Sequence, residues 1–193
     1  MKLTPTHLGG AYLVDLEPHA DDRGFFARSF DRAAFEEAGL RSVVEQMNVS
    51  GSHKAGTLRG MHYQVAPATE SKLIRCTAGA VLDIIVDMRE DSPTYLQHLA
   101  VELTRENHRA VYVPPLFAHG HQTLVDDSEI TYAVSEAYTP GTERGLRYDD
   151  PALGLSWPLP VSVISDKDLN WPALSWPALD GAARSGQTTA PRA

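Results

Sequence analysis

The stretch Thr57-Leu58-Arg59-Gly60-Met61-His62-Tyr63-Gln64, followed by Glu70-Ser71-Lys72-Leu73, gathers an imidazole, a guanidinium and an ammonium in a segment patterned like a β-strand. An imidazole titrates near neutrality, so His62 beside two fixed cations outlines a reaction centre. On a regular strand Leu58, Gly60, His62 and Gln64 share one side, while Arg59, Met61 and Tyr63 share the other. Strict alternation therefore separates Arg59 from His62. A bulge at Gly60 would bring both to one pocket, because glycine in a strand often marks a bulge or a close backbone approach. A second cluster, Val113-Pro114-Pro115-Leu116-Phe117-Ala118-His119-Gly120-His121, ends one strand with two prolines and projects His119 and His121 to one face of the next. With His62 and either Glu70 or Glu129, these histidines could form a metal site.

The elements that position these groups read mostly with period two, separated by turn residues, which favours an all-β domain over alternating βαβ units. Strands are expected over Ala11–Glu17, Gly24–Phe30, Val43–Val49, Leu58–Gln64, Lys72–Thr77, Ala80–Met88, Leu96–Leu103, Arg109–Val113, His119–Val125 and Glu129–Tyr138. Ten such segments suit two packed antiparallel sheets or a jelly roll. The clearest helix is Arg32–Ala38, with Asp31 as N-cap, Phe35 and Ala38 on one face, and Gly39 as the left-handed exit. It is short, and a peripheral place is expected for it.

Composition sets outer limits. A chain of 193 residues with 42% hydrophobic content can bury one substantial core, and one domain over 1–179 is expected. Residues 180–193 lack large apolar side chains, so a disordered tail is expected there. A formal charge of -8 and a pI near 5.4 argue against a nucleic-acid partner, which requires clustered Lys and Arg. Cys76 is the single cysteine, which excludes an intramolecular disulfide and a cysteine-based zinc site and fits a reducing, cytoplasmic setting. No apolar run approaches the roughly 18 residues of a membrane span, and Met1-Lys2-Leu3-Thr4-Pro5 lacks a signal-peptide core. A soluble, unexported protein is expected.

Taken in order, the motifs resemble one family, the deoxysugar nucleotide epimerases of the cupin superfamily typified by dTDP-4-dehydrorhamnose 3,5-epimerase. The resemblance runs from about Asp21 to Pro172. It is carried by Asp21-Asp22-Arg23-Gly24-Phe25-Phe26, Gln46-Met47-Asn48-Val49-Ser50, Leu58–Gln64, Lys72-Leu73-Ile74-Arg75-Cys76 and Gly79-Ala80-Val81-Leu82-Asp83. Asp87-Met88-Arg89, Ser92-Pro93-Thr94, Phe117-Ala118-His119-Gly120, Tyr132, Tyr138, Asp149-Asp150-Pro151, Trp157-Pro158 and Ser165-Asp166-Lys167-Asp168 continue it. The resemblance implies a cupin-like jelly roll with short peripheral helices, a homodimer with exchanged N-terminal strands, and catalysis without a metal or other cofactor.

It also implies the chemistry. In a nucleotide-linked 4-keto-6-deoxyhexose the hydrogens on C3 and C5 are α to the carbonyl, so epimerisation needs a base on one face and an acid on the other. The resemblance makes His62 the base, Asp168 the carboxylate that orients its ring, Tyr132 the acid and Lys72 the partner of the enolate oxygen. Ile130, Tyr132 and Val134 share one side of their strand, so the tyrosine can point inward. Arg23 and Arg59 resemble the contacts to pyrophosphate or sugar, for which a guanidinium fork suits phosphate oxygens. Phe26 resembles the surface on which the base stacks. Gln46 and Asn48 resemble nucleotide contacts, His119 a sugar-site histidine, Tyr138 a second tyrosine of the pocket, and Glu143 and Lys167 late-chain binding positions. Three positions depart from the family pattern. Arg28 stands where many thymidine-specific members carry glutamate, Leu116 where glycine is usual, and His121 where an aromatic usually follows Gly120. These departures leave the acid and base in place while leaving open another nucleotide, another sugar, or inversion at one carbon only. Two other readings are a metal-dependent cupin enzyme using His62, His119 and His121, and a non-catalytic cupin that binds sugar nucleotides.

Overall fold

The computed structural model describes residues 1–174, so the expected tail at 180–193 lies outside the described residues. In chain order the strands are β1 (Lys2–Pro5), β2 (Tyr12–Asp15), β3 (His19–Asp21) and β4 (Gly24–Phe26), followed by helix α1 (Arg32–Glu37). There follow β5 (Gln46–Ser52), β6 (Leu58–Gln64), β7 (Lys72–Ala78), β8 (Ala80–Asp87) and β9 (His98–Thr104). β10 (Ala110–Val113), β11 (Phe117–Thr123), β12 (Ser128–Val134), β13 (Glu143–Gly145) and helix α2 (Asp166–Leu169) complete them.

Two antiparallel sheets carry the fold. One has six strands in the order β1-β2-β10-β7-β12-β5 and the other five in the order β13-β6-β11-β8-β9; β3 and β4 form a separate hairpin. Alternation along β8 shows why its sequence is almost continuously apolar. Val81 and Ile85 enter the core between the sheets with Ile74, Cys76, Phe117 and Ile130, while Ile84 and Val86 enter a second core on the outer face. That outer face is covered by the chain after β13, through Leu146, Leu153 and Trp157. On the six-stranded sheet the cover is α1, whose Phe35 packs with Val14, Ala110 and Tyr112. Burying such a ring stabilises by about 1.5–3 kcal/mol.

The helix is built as its sequence predicts. Asp31 accepts from the backbone N–H of Ala33 and Ala34, and Gly39 leaves with φ 71°. Several expected strands differ at their ends, among them Glu129–Tyr138, which stops at Val134, and His119–Val125, which becomes Phe117–Thr123, and two more shift for reasons visible in the tertiary structure. Val43–Val49 becomes Gln46–Ser52 because β12 pairs Gln46 with Val134 and Ser52 with Ser128, leaving Val43 and Val44 exposed despite their β propensity. The strand begun at Gly24 stops at Phe26, and Phe30 turns to meet Phe35 at a ring separation of 4.9 Å. β1, β3, β13 and α2 are three or four residues long, too short to show a period. Among the described residues, no helix is long and apolar enough to cross a membrane.

Candidate active site

Apolar side chains fill part of the space between the sheets, and an open cavity lined in part by charged residues lies beside them. The bend that shapes this cavity lies in β6. Against β11, His62 pairs with His119 and Arg59 with His121, so three steps along β6 match two along β11. This bulge resolves the alternation conflict: Arg59 and His62 both face the cavity, and Met61 is buried in the outer core. Gly60 makes it possible. Its φ is 119°, and a Cβ there would lie 2.5 Å from the Gly120 Cα and 2.7 Å from the His119 carbonyl oxygen.

His62 Nε2 lies 2.5 Å from Asp168 Oδ1, and the other carboxylate oxygen accepts the Gly60 N–H at 3.1 Å. Asp168 comes from α2, where the Ser165 hydroxyl caps the turn by accepting the Asp168 N–H at 3.1 Å. Burial opposes ionisation of Asp168, but the His62 hydrogen bond and charge and the Gly60 N–H together hold it below the usual carboxylate range. An ionised Asp168 only accepts, so Nε2 of His62 carries the proton and Nδ1 is left with a lone pair.

Tyr132 and Lys72 stand on the opposite sheet, on adjacent strands β12 and β7. Lys72 is ion-paired to Glu70, and only 12% and 8% of the two side chains is exposed. Lys72 is not a solvated edge lysine, because β7 is interior to its sheet. Burial, followed by the charge of Glu70, raises the Tyr132 pKa against a smaller opposing effect of Arg59, so its hydroxyl stays protonated. Beside His62, His119 is fixed through Nε2 to Asp83 Oδ2 at 2.7 Å.

A cavity of about 470 Å³ is lined by Arg59, His62, Lys72, His119, Tyr132, Lys167 and Asp168. An adjoining space of about 300 Å³ shares His62, Lys72 and Tyr132 and adds Gln46, Asn48, Tyr138 and Glu143. Lys167 and Glu143 form an ion pair between the two. Arg23 and Phe26 are not brought there. They line a separate cleft on the β3–β4 hairpin, where Phe26 is 71% exposed and Arg23 pairs with Asp21. The metal set does not assemble. Nε2 of His62 and of His119 is committed to a carboxylate, Glu70 to Lys72, and Glu129 to Thr77, and no metal-binding group of three is present among the described residues. Asp83 is a site residue to which sequence reasoning gave no role, and Glu70, weighed there only as a metal ligand, instead pairs with Lys72. The signal for Asp83 was a carboxylate in the middle of an otherwise apolar run of β8. Of the three departures, Arg28 pairs with Asp31 at 2.9 Å, Leu116 adopts φ 62° in the region that favours glycine, and His121 is buried.

Known proteins share the sequence and the fold of this chain. The family model for dTDP-4-dehydrorhamnose 3,5-epimerase matches residues 5–175. The dTDP-4-dehydrorhamnose 3,5-epimerase of Shigella flexneri is 39% identical over 171 residues, covering 88% of this chain and 94% of the relative. The crystal structure of the Bacillus anthracis enzyme of that name, with TDP and PPi bound, superposes with a TM-score of 0.86 at 40% identity, covering 90% of this chain and 99% of that one. ChmJ, a 3'-monoepimerase from Streptomyces bikiniensis in complex with dTDP-quinovose, superposes with a TM-score of 0.81 at 34% identity, covering 88% and 86%. The two packed sheets are the cupin-like jelly roll of these neighbours, and the chain belongs to the dTDP-4-dehydrorhamnose 3,5-epimerase family.

Proposed function

We propose that this protein epimerises a nucleotide-linked 4-keto-6-deoxyhexose at C3 and C5, with dTDP-4-dehydro-6-deoxyglucose as substrate. The observation that carries the reading is the His62–Asp168 pair on one sheet facing Tyr132 and Lys72 on the other across a shared cavity. A base and an acid on opposite walls reach opposite faces of one sugar ring. His62 Nδ1 takes the proton from the carbon α to the ketone, and the electron pair moves onto the C4 oxygen as an enolate. Lys72 stabilises that oxygen electrostatically, and the protonated Tyr132 hydroxyl returns a proton to the other face. Asp168 keeps His62 in the competent tautomer and stabilises its cation. Lys72 supplies the charge stabilisation, so the proposal invokes no metal or other cofactor.

Gln46, Asn48, Tyr138, Glu143, His119 and Lys167 hold the rest of the substrate, with Arg59 as a phosphate contact. Arg23 and Phe26 complete the site from a second copy of the chain, in a homodimer with exchanged N-terminal strands; the exposed hairpin carrying them, apart from this chain's own cavity, supports that arrangement. One domain over 1–179 carries the activity. The lone buried Cys76 fits a cytoplasmic site of action.

The test is solvent deuterium wash-in. The protein should place deuterium at C3 and C5 of the dTDP-linked ketosugar, and His62→Ala should abolish it. Deuterium at C3 alone would assign a monoepimerase of the kind ChmJ is described as. Wash-in that prefers a CDP, UDP or GDP sugar would reassign the nucleotide, and none with any of them would sink the reading in favour of a binding module.

A further inference from the structure

We propose that His121 reads the sugar, its imidazole hydrogen-bonding a ring hydroxyl of the bound hexose. The assignment rests on the epimerase reading for the identity of the sugar. His121 lines the cavity with His62, Arg59 and Tyr132, yet it is only 4% exposed. Its Nδ1 is sealed and has no hydrogen-bond partner among the described residues. The contrast with His119 is instructive. Their rings stack at 6.1 Å and 24°, but His119 is anchored to Asp83. Among the described residues His121 has no such carboxylate. Burial, and after it the charges of His119, Arg59 and His62, push the His121 pKa down to about 3, so the ring is neutral at physiological pH.

A neutral imidazole has one donor and one acceptor nitrogen, and a buried polar ring left unpaired is costly. A hydroxyl can donate and accept, so it matches Nε2, the ring nitrogen that is not sealed, in either tautomer of His121. A phosphate, which only accepts and prefers charge-assisted donors, is better served by Arg59 or Lys167. A phenylalanine at this position would be indifferent to a hydroxyl. His121 therefore makes this cavity favour a sugar that offers one, as sites built to hydrogen-bond a substrate group reject analogues lacking it.

The test compares dTDP-glucose with dTDP alone by calorimetry, for the unmodified protein, His121→Phe and His121→Gln, with thermal melting as a check of folding. The phenylalanine variant should bind dTDP-glucose about tenfold more weakly while its affinity for dTDP stays within about twofold, and glutamine should recover most of the loss. Equal weakening toward both ligands would overturn the proposal, as would no weakening, or an unmodified protein that binds the two ligands equally. Deuterium wash-in measured alongside separates the two ideas. Its absence from the unmodified protein sinks the epimerase reading and leaves the binding contrast to judge His121.

Discussion

Replacing Asp168 by asparagine tests the proposed base directly, because the two carboxylate oxygens do different work. One accepts from His62 Nε2 at 2.5 Å and the other from the Gly60 N–H at 3.1 Å. Asparagine has one acceptor and one NH₂ group. If its oxygen meets Gly60, the NH₂ faces His62, Nε2 must become the acceptor, and the proton moves to Nδ1, where the base is needed. If the oxygen meets His62, the NH₂ opposes the Gly60 N–H. Either arrangement withdraws the negative charge that stabilises the His62 cation. The comparable change in a Ser-His-Asp triad costs about 10⁴ in kcat, and a positioned base is worth about 10²–10⁴, so a fall of about 10³–10⁴-fold is expected here. That is about 4–5.5 kcal/mol of barrier, while KM should move only a few-fold. Deuterium wash-in under single-turnover conditions is the assay. A well-folded Asp168→Asn protein within tenfold of the unmodified kcat would refute the reasoning. Stability supplies a second readout. The folded-state pKa of Asp168 is depressed, so its contribution is fully present above about pH 4 and is lost as pH falls through the folded value. The difference in melting temperature between the two proteins should therefore narrow in acid.

Tyr132→Phe should lower kcat by about 10²–10⁴-fold with little change in ligand affinity, measured by turnover and by calorimetry. In the unmodified protein the alkaline limb of the kcat profile should lie above about pH 10, the ordinary tyrosine value, because burial and Glu70 raise the pKa of Tyr132. Glu70→Gln removes one of those causes and should move that limb to lower pH; an unmoved limb would mean that Tyr132 does not set it. Gly60→Ala should destabilise by about 2–4 kcal/mol in denaturant unfolding, since the new methyl meets the backbone of His119 and Gly120 at a positive φ. Mixing inactive Arg23→Ala and His62→Ala proteins after refolding together should restore about a quarter of the activity if Arg23 serves a second copy's site, because half the dimers are hybrids with one intact site. No recovery would place Arg23 and His62 in the same chain's site.

Much of the architecture follows from local pattern. Period-two alternation is a property of the chain itself, so β6, β7, β8 and β11 could be placed from sequence, and Asp31, Phe35 and Gly39 marked α1 by capping and burial chemistry that acts over a few residues. The family resemblance, carried by residue types and their order, singled out His62, Lys72, Tyr132 and Asp168. Tertiary structure decided how they meet. Whether Arg59 joins His62 depends on a bulge set by the register of β6 against β11, strands that lie far apart in sequence. Whether Asp168 is a solvated loop carboxylate or the buried partner of His62 depends on a four-residue helix docking 106 positions away. The pairs Glu70–Lys72 and Asp83–His119 likewise emerge only once the strands are assembled. Alternation tells a residue which side of its own strand it occupies; the distance between side chains on different strands is set by register, closure and packing, which belong to the whole molecule.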